Sequence, residues 1–347
     1  MPFKVANLFS LPSLSTEEAE ALVAEAGGEY ASAFCQSEDE IVSAAAGADA
    51  VVGVFTDGIQ TISGEMMDQL PDLKHISVMG IGFEGVDLPA ATERGICVSN
   101  SPDYGLEEMA DHTLLFVLAL AKKLLPTIDA VRAGKWDAPG QHTVRKDVLP
   151  PLFRISGQTL GLVGFGNIAR AAAPRARAFG LKLLAYDPYV PEDVIRGFDV
   201  EPVDLDTLLR DSDFVSLHSP LNEDTRNMIG LEEFRKMKPT AFFINTARGG
   251  LVEEQALCKA LTEGIIAGAA IDVMNPEPPD PDNPLLRVPN LIITPHTGQL
   301  TEESQAAINR MPYEEIVRVM QGGWPRSIAF RNPEVQERFA ARWRGAS

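Results

Sequence analysis

The chain's 347 residues predict an α/β fold built from two parallel-sheet domains. Three observations carry that expectation. Single hydrophobic cores rarely grow beyond ~250–300 residues, so a chain of this length divides. Short apolar runs alternate with helical patterns along the sequence, the rhythm of parallel sheets. Two glycine loops, GIGFEG at 80–85 and GFGNIA at 164–169, each follow a strand-like run.

In the first hundred residues, strands are expected at FKVANLF (3–9), DAVVGVF (49–55), HISVM (75–79) and ICVSN (96–100), with helices over TEEAEALVAEAG (16–27) and near GEMMDQLP (64–71). A long helix follows over 106–134, and Pro126 is expected to kink or split it. Its apolar run LLFVLALA (114–121) is far short of the ~20 residues that span a bilayer, so it reads as a buried helix. After a loop-rich segment (137–158), six more strands are expected: TLGLVGF (159–165), KLLAYD (182–187), DFVSLH (213–218), AFFINTA (241–247), AGAAID (267–272) and NLIITPH (290–296). Six strands in this rhythm suit a doubly wound Rossmann domain. From Thr301 the tail resumes a helix that either caps the second domain or returns to the first.

Composition narrows the function. The formal charge of −19 is spread along the chain, which argues against a nucleic-acid or anionic-membrane surface. An anionic substrate would have to be captured by a local basic group against this field. Cys35, Cys97 and Cys258 lie far apart, so neither a disulfide framework nor a metal site is expected. No secretory signal opens the chain, and a cytoplasmic location is expected.

A dinucleotide loop needs a strand before it, a helix whose N-terminus faces the pyrophosphate, and an acid about 20 residues on for the ribose hydroxyls. GFGNIA meets all three conditions: Gly164, Gly166, Asn167 and Ile168 open a helix, Ala169 keeps the third position small, and Asp187 ends the next strand. GIGFEG matches the pattern better but fails on context. Pro89 leaves only a short helix after it, and the next strand ends in Asn100. Its Gly80, Ile81 and Gly82 are read instead as a nest of backbone amides for a carboxylate, against the plainer alternative of a tight turn. A carboxylate at Asp187 favours NAD over NADP, although Arg196 lies nearby in sequence.

Ligands of open α/β sheets bind at the carboxyl ends of the strands. There the chain places Arg248 after AFFINTA, Glu277 after AGAAID and His296 after NLIITP. A histidine is a suitable acid/base for the alkoxide that forms as hydride reaches a 2-oxo acid. A paired glutamate fixes its tautomer and favours its charged form. An arginine can hold the substrate carboxylate in a fork of donors. Any one of these residues alone would be read as structural.

The motifs ATERGICVSNSP, EEMADHTLLFVLALAK, GLVGFGNIAR, AYDP, SLHSPLNEDTRNMIG, FINTARGGLVEEQAL, AGAAIDVMNPEPP and ITPHTG span about residues 76–298. On these the chain resembles the D-isomer-specific 2-hydroxyacid dehydrogenases, in particular the branch that contains the C-terminal-binding proteins. The resemblance implies a segmented architecture: a substrate domain from 1–101 and 299–347, with a cofactor and dimerisation domain at 102–298 inserted into it. It implies that Arg248, Glu277 and His296 are catalytic, that Gly80, Ile81 and Gly82 bind substrate, and that the protein is a homodimer reducing small anionic 2-oxo acids to 2-hydroxy acids. It further implies cofactor contacts at Ser219, Pro220, Thr225, Thr246, Ala247, Asp272 and Gly298, with Asp272 on the nicotinamide carboxamide. The alternative it allows is an NAD(H)-sensing, corepressor-like regulator with little turnover.

Three positions depart from the family. Glu84-Gly85 replaces the frequent Asp-Asn, and Gln299 stands where the C-terminal-binding proteins carry tryptophan. Phe55, Thr56, Tyr104 and Tyr313 are candidate pocket residues.

Overall fold

The computed structural model describes residues 2–9, 16–55, 60–137, 144, 146 and 151–338. Thr56 and most of the loop-rich segment lie outside the described residues. The chain forms two units, Met1–Gly105 with Leu300–Ser347, and Leu106–Gln299.

The first unit runs β1 (Lys4–Asn7), α1 (Glu17–Glu25), β2 (Glu29–Ser32), α2 (Glu38–Ala45), β3 (Ala50–Gly53), α3 (Gly64–Asp68), β4 (His75–Val78), α4 (Leu88–Arg94) and β5 (Cys97–Ser99). Every pairing is parallel, and the order β2-β1-β3-β4-β5 is that of a flavodoxin-like sheet. Strand β2 is an addition to the expected set. It is an edge strand, EYAS, with no buried residue, and so it lacks the apolar alternation that reveals a strand. Val51, Ile76, Val78 and Val98 form one core with Ile41, Met66 and Leu73.

The second unit begins with α5 (Leu106–Ala121) and α6 (Leu124–Arg132). The helix expected over 106–134 breaks at Lys122–Lys123 and not at Pro126. Lys123 takes a left-handed φ of 48°, and its amide turns back to Leu120 O. Pro126 falls in the first turn of α6, where an amide has no intrahelical partner to lose.

The unit continues with β6 (Thr159–Val163), α7 (Asn167–Ala178), β7 (Lys182–Tyr186), α8 (Glu192–Arg196), β8 (Glu201–Pro202), α9 (Leu205–Asp211), β9 (Phe214–Leu217), α10 (Leu231–Lys236), β10 (Phe242–Asn245), α11 (Glu254–Thr262), β11 (Gly268–Ile271) and β12 (Leu291–Ile293). The parallel order β12-β11-β10-β9-β6-β7-β8 contains the six expected strands, plus the two-residue edge β8. This is the doubly wound Rossmann order, and its topological switch lies between β6 and β9.

Helix α12 (Glu302–Met320) settles where the tail goes: it belongs to the first unit and packs on α1 and β4. Thr301 and Ser304 close a reciprocal cap at its start. Its Ile308, Tyr313 and Ile316 bury against Val5, Val23 and Val52.

Candidate active site

At the switch point, β6 ends in Val163 and the chain turns through Gly164, with φ at 92°. A side chain there would come within 2.7 Å of the His218–Ser219 backbone, so only glycine lets the two strand ends approach. Gly166 caps α7 with no side-chain hydrogen bond, and a Cβ placed on it would meet nothing within 4 Å. The amides of Asn167 and Ile168 open the 12-residue α7 beside that space. Ala169 is fully buried, which accounts for the small third residue of the motif. These residues fit a pyrophosphate held at a helix N-terminus.

Asp187, at the end of β7, accepts the Phe165 amide on Oδ2 at 2.8 Å, and those of Tyr189 and Val190 on Oδ1 at 2.9 and 3.1 Å. It therefore ties the glycine loop to the next strand. Tyr186, Asp187, Glu192, Val203, Asp204 and Thr207 line a cavity of about 510 Å³. Arg196 is ion-paired to Glu192 at 2.8 Å. On the β9 side, Ser219 Oγ donates to Val163 O at 3.2 Å, and the Thr225 hydroxyl braces the loop by donating to Pro220 O at 2.7 Å.

Strand β10 delivers Arg248. Asn245 accepts the Ala247 amide at 3.0 Å and donates its own amide to Arg248 O at 2.8 Å, fixing the turn. Thr246 is buried, its hydroxyl 3.4 Å from that of Thr113. Arg248 Nη1 donates to Ala247 O at 2.8 Å. At Gly249 a Cβ would lie 2.2 Å from the Met274 carbonyl carbon, so glycine allows the Arg248 turn to rest on the backbone leading to Glu277.

Glu277 Oε2 lies 2.6 Å from His296 Nδ1, and its Oε1 accepts the Met274 amide at 2.8 Å. Burial opposes ionisation of Glu277. The hydrogen bond and charge of His296 outweigh it, with smaller contributions from the Met274 amide and Arg248, and the carboxyl is held below its usual range. With Nδ1 donating to the carboxylate, Nε2 is the nitrogen left for a ligand. The imidazole is 40% exposed, enough for a ligand to reach it. His296 takes a left-handed φ of 54°, a conformation that surrounding bonds must enforce.

Those bonds come largely from Asp272. Its carbonyl accepts the His296 amide at 2.8 Å, and its buried carboxylate accepts the amides of Thr297 and Gly298 and the Thr294 hydroxyl. Gln299 Nε2 donates to His296 O at 3.2 Å, the task that falls to it at this departure from the family pattern. His112 joins this network from α5, where a helix residue far from any strand end carries no sequence pattern, and Thr294 joins it from directly after β12.

In the first unit, Gly80 has a φ of 144° and its amide donates to Val78 O. Of the three loop amides, those of Ile81 and Gly82 remain without a partner among the described residues. Asn100 Nδ2 donates to Ile81 O at 2.6 Å and holds the loop. Gly85 is required by close approach, since a Cβ there would lie 2.3 Å from Gln60 O. Phe55 and Tyr313 are core residues, 0% and 2% exposed, and Tyr104 is half-buried. Only α4, seven residues long, follows GIGFEG.

A family model described as the NAD-binding domain of D-isomer-specific 2-hydroxyacid dehydrogenases matches residues 114–298. The chain belongs to this family. It is accordingly an oxidoreductase with a nicotinamide-dinucleotide-binding domain. It is 38% identical to a glyoxylate reductase of Korarchaeum cryptofilum over 86% of this chain and 87% of that one. It is 42% identical to a glycerate dehydrogenase of Methylorubrum extorquens over 69% of this chain and 74% of that one. The crystal structure of a glyoxylate reductase from Paecilomyes thermophila superposes with a TM-score of 0.83 at 28% identity, covering 96% of this dehydrogenase-family chain and 100% of the other. Among the described residues, no helix is long and apolar enough to cross a membrane.

Proposed function

We propose that the protein reduces small 2-oxo acids of the glyoxylate and hydroxypyruvate type to (R)-2-hydroxy acids, with NADH preferred to NADPH. The observation that carries this reading is the 2.6 Å His296–Glu277 pair, which leaves Nε2 open at a strand end of a dinucleotide-binding sheet. NADH supplies the hydride. The amides of Asn167 and Ile168 would hold its pyrophosphate, with the residues Ser219–Thr225, Thr246, Ala247, Asp272 and Gly298 as its further contacts.

His296 Nε2 gives its proton to the carbonyl oxygen as the carbon accepts hydride. Glu277 stabilises the imidazolium before transfer and keeps Nδ1 protonated. Arg248 holds the substrate carboxylate and offsets the charge that grows on the oxygen. The three carboxylates Asp187, Glu192 and Asp204 at one cavity disfavour a 2′-phosphate, and Arg196 is already neutralised.

The test is NADH and NADPH oxidation with a panel of 2-oxo acids. Turnover with at least one acid, faster with NADH, is expected, and His296→Ala should cut kcat by about 10³-fold or more while leaving the NADH dissociation constant within about twofold. NADH binding without turnover on any acid would instead mark a sensor of the dinucleotide and overturn the enzymatic reading.

A further inference from the structure

We infer that His112, on α5, is a positioning residue for the acid/base. It clasps the His296-bearing turn through Thr294 and Asp272, and this role rests on the reading of His296 given above. His112 Nε2 lies 3.2 Å from Thr294 Oγ1, and the Thr294 hydroxyl donates in turn to Asp272 Oδ1. A hydroxyl has one proton to give, so with that proton spent on the carboxylate it can only accept from His112. This fixes His112 as the Nε2–H donor.

The rest of the clasp closes around His296. Asp272 takes the Thr297 amide at 3.0 Å and the Gly298 amide at 2.9 Å on its carboxylate, and its carbonyl takes the His296 amide. The turn is thus bound immediately before and after the residue whose φ of 54° needs enforcing.

Packing repeats the argument in apolar terms. The His112 ring sits edge-on to Phe116, with centroids 4.3 Å apart, and it forms the floor beneath Gly298, where a Cβ would come 2.9 Å from its Cδ2. Its side chain is only 12% exposed, and burial holds its pKa below the ordinary value, partly countered by Asp272, which keeps a single-proton ring the resting form. Asp272 Oδ1 is 3.8 Å away, so Thr294 is the relay between the two. An imidazole reaching across from α5 therefore sets the direction in which a second imidazole, at the end of β12, presents Nε2.

The decisive experiment is a double-mutant cycle with His112→Leu and Thr294→Val, read as kcat and as the NADH dissociation constant. Each single variant should lower kcat about tenfold with NADH affinity within about twofold, and the double variant should fall no further, because both act through one chain. His112→Gln, which keeps a donor at that reach, should regain most of the loss. Unchanged kcat in His112→Leu, losses that multiply in the double variant, or a loss of NADH affinity that matches the loss of kcat would each overturn the inference. His296→Ala, assayed in parallel, separates the two readings. If turnover survives there, the acid/base assignment falls and this inference with it; if turnover is abolished but the His112 and Thr294 losses multiply, only the clasp is wrong.

Discussion

At the scale of single residues, chemistry here depends on what holds each side chain as much as on which side chain it is. Gly249 contributes no functional atom, yet its contact with Met274 sets the spacing between the Arg248 turn and the Glu277 loop. Gly249→Ala should lower kcat by about 10²-fold through a displacement of about 1 Å, with the fold retained by circular dichroism. A variant as active as the parent would show that this spacing is not critical. The meeting of Glu277 with His296 was legible in the sequence because each follows a strand and strand ends are where such sheets bind ligands. The residues that brace them were not. Thr294 and His112 act through hydrogen bonds formed only after distant segments meet, and the burial of Phe55 and Tyr313 is likewise set by the fold.

At the scale of elements, apolar rhythm revealed the central strands, and its absence concealed β2 and β8, which are short edge strands with exposed or half-buried residues. The break between α5 and α6 shows a local rule misapplied: proline draws attention as a breaker, but the chain stops at a left-handed lysine three residues earlier. That geometry costs a non-glycine residue roughly 1–2 kcal/mol, against roughly 0.5–1 kcal/mol for the added freedom of an unfolded glycine. Lys123→Gly is therefore expected to stabilise the protein by about 0.5–1 kcal/mol, seen as a higher urea midpoint; a lower midpoint would mean that the lysine stem contributes more than its backbone costs. On α6 the side chains Leu124, Leu125 and Val131 are 45%, 42% and 44% exposed.

At the scale of the whole molecule, acid should be its weakness. His75 is fully buried, and its Nε2–H begins a chain through Ser99 and Ser77 to Pro312 O that leaves Nδ1 without a partner among the described residues. Burial pushes its pKa down to about 3, and that of His218 down to about 4. Both folded values lie below the ordinary histidine value of about 6.5, so between about pH 6.5 and about pH 4 the unfolded chain takes up protons that the folded chain refuses. Stability contributed by these two sites is unchanged above that window and falls steadily within it. Thermal midpoints measured across the window should decline, less steeply in His75→Gln; an equal slope in that variant would exclude His75 as a cause.

The return of α12 to the first unit also bears on biosynthesis. A ribosome finishes the second unit's chain at Gln299, when the first unit still lacks Ile308, Tyr313 and Ile316 from its core and the 329–332 segment that hydrogen-bonds to the end of β5. The part made first is therefore completed last. Until the final stretch emerges, Val5, Val23 and Val52 await their covering helix, and that interval is when the nascent chain most needs protection from its neighbours.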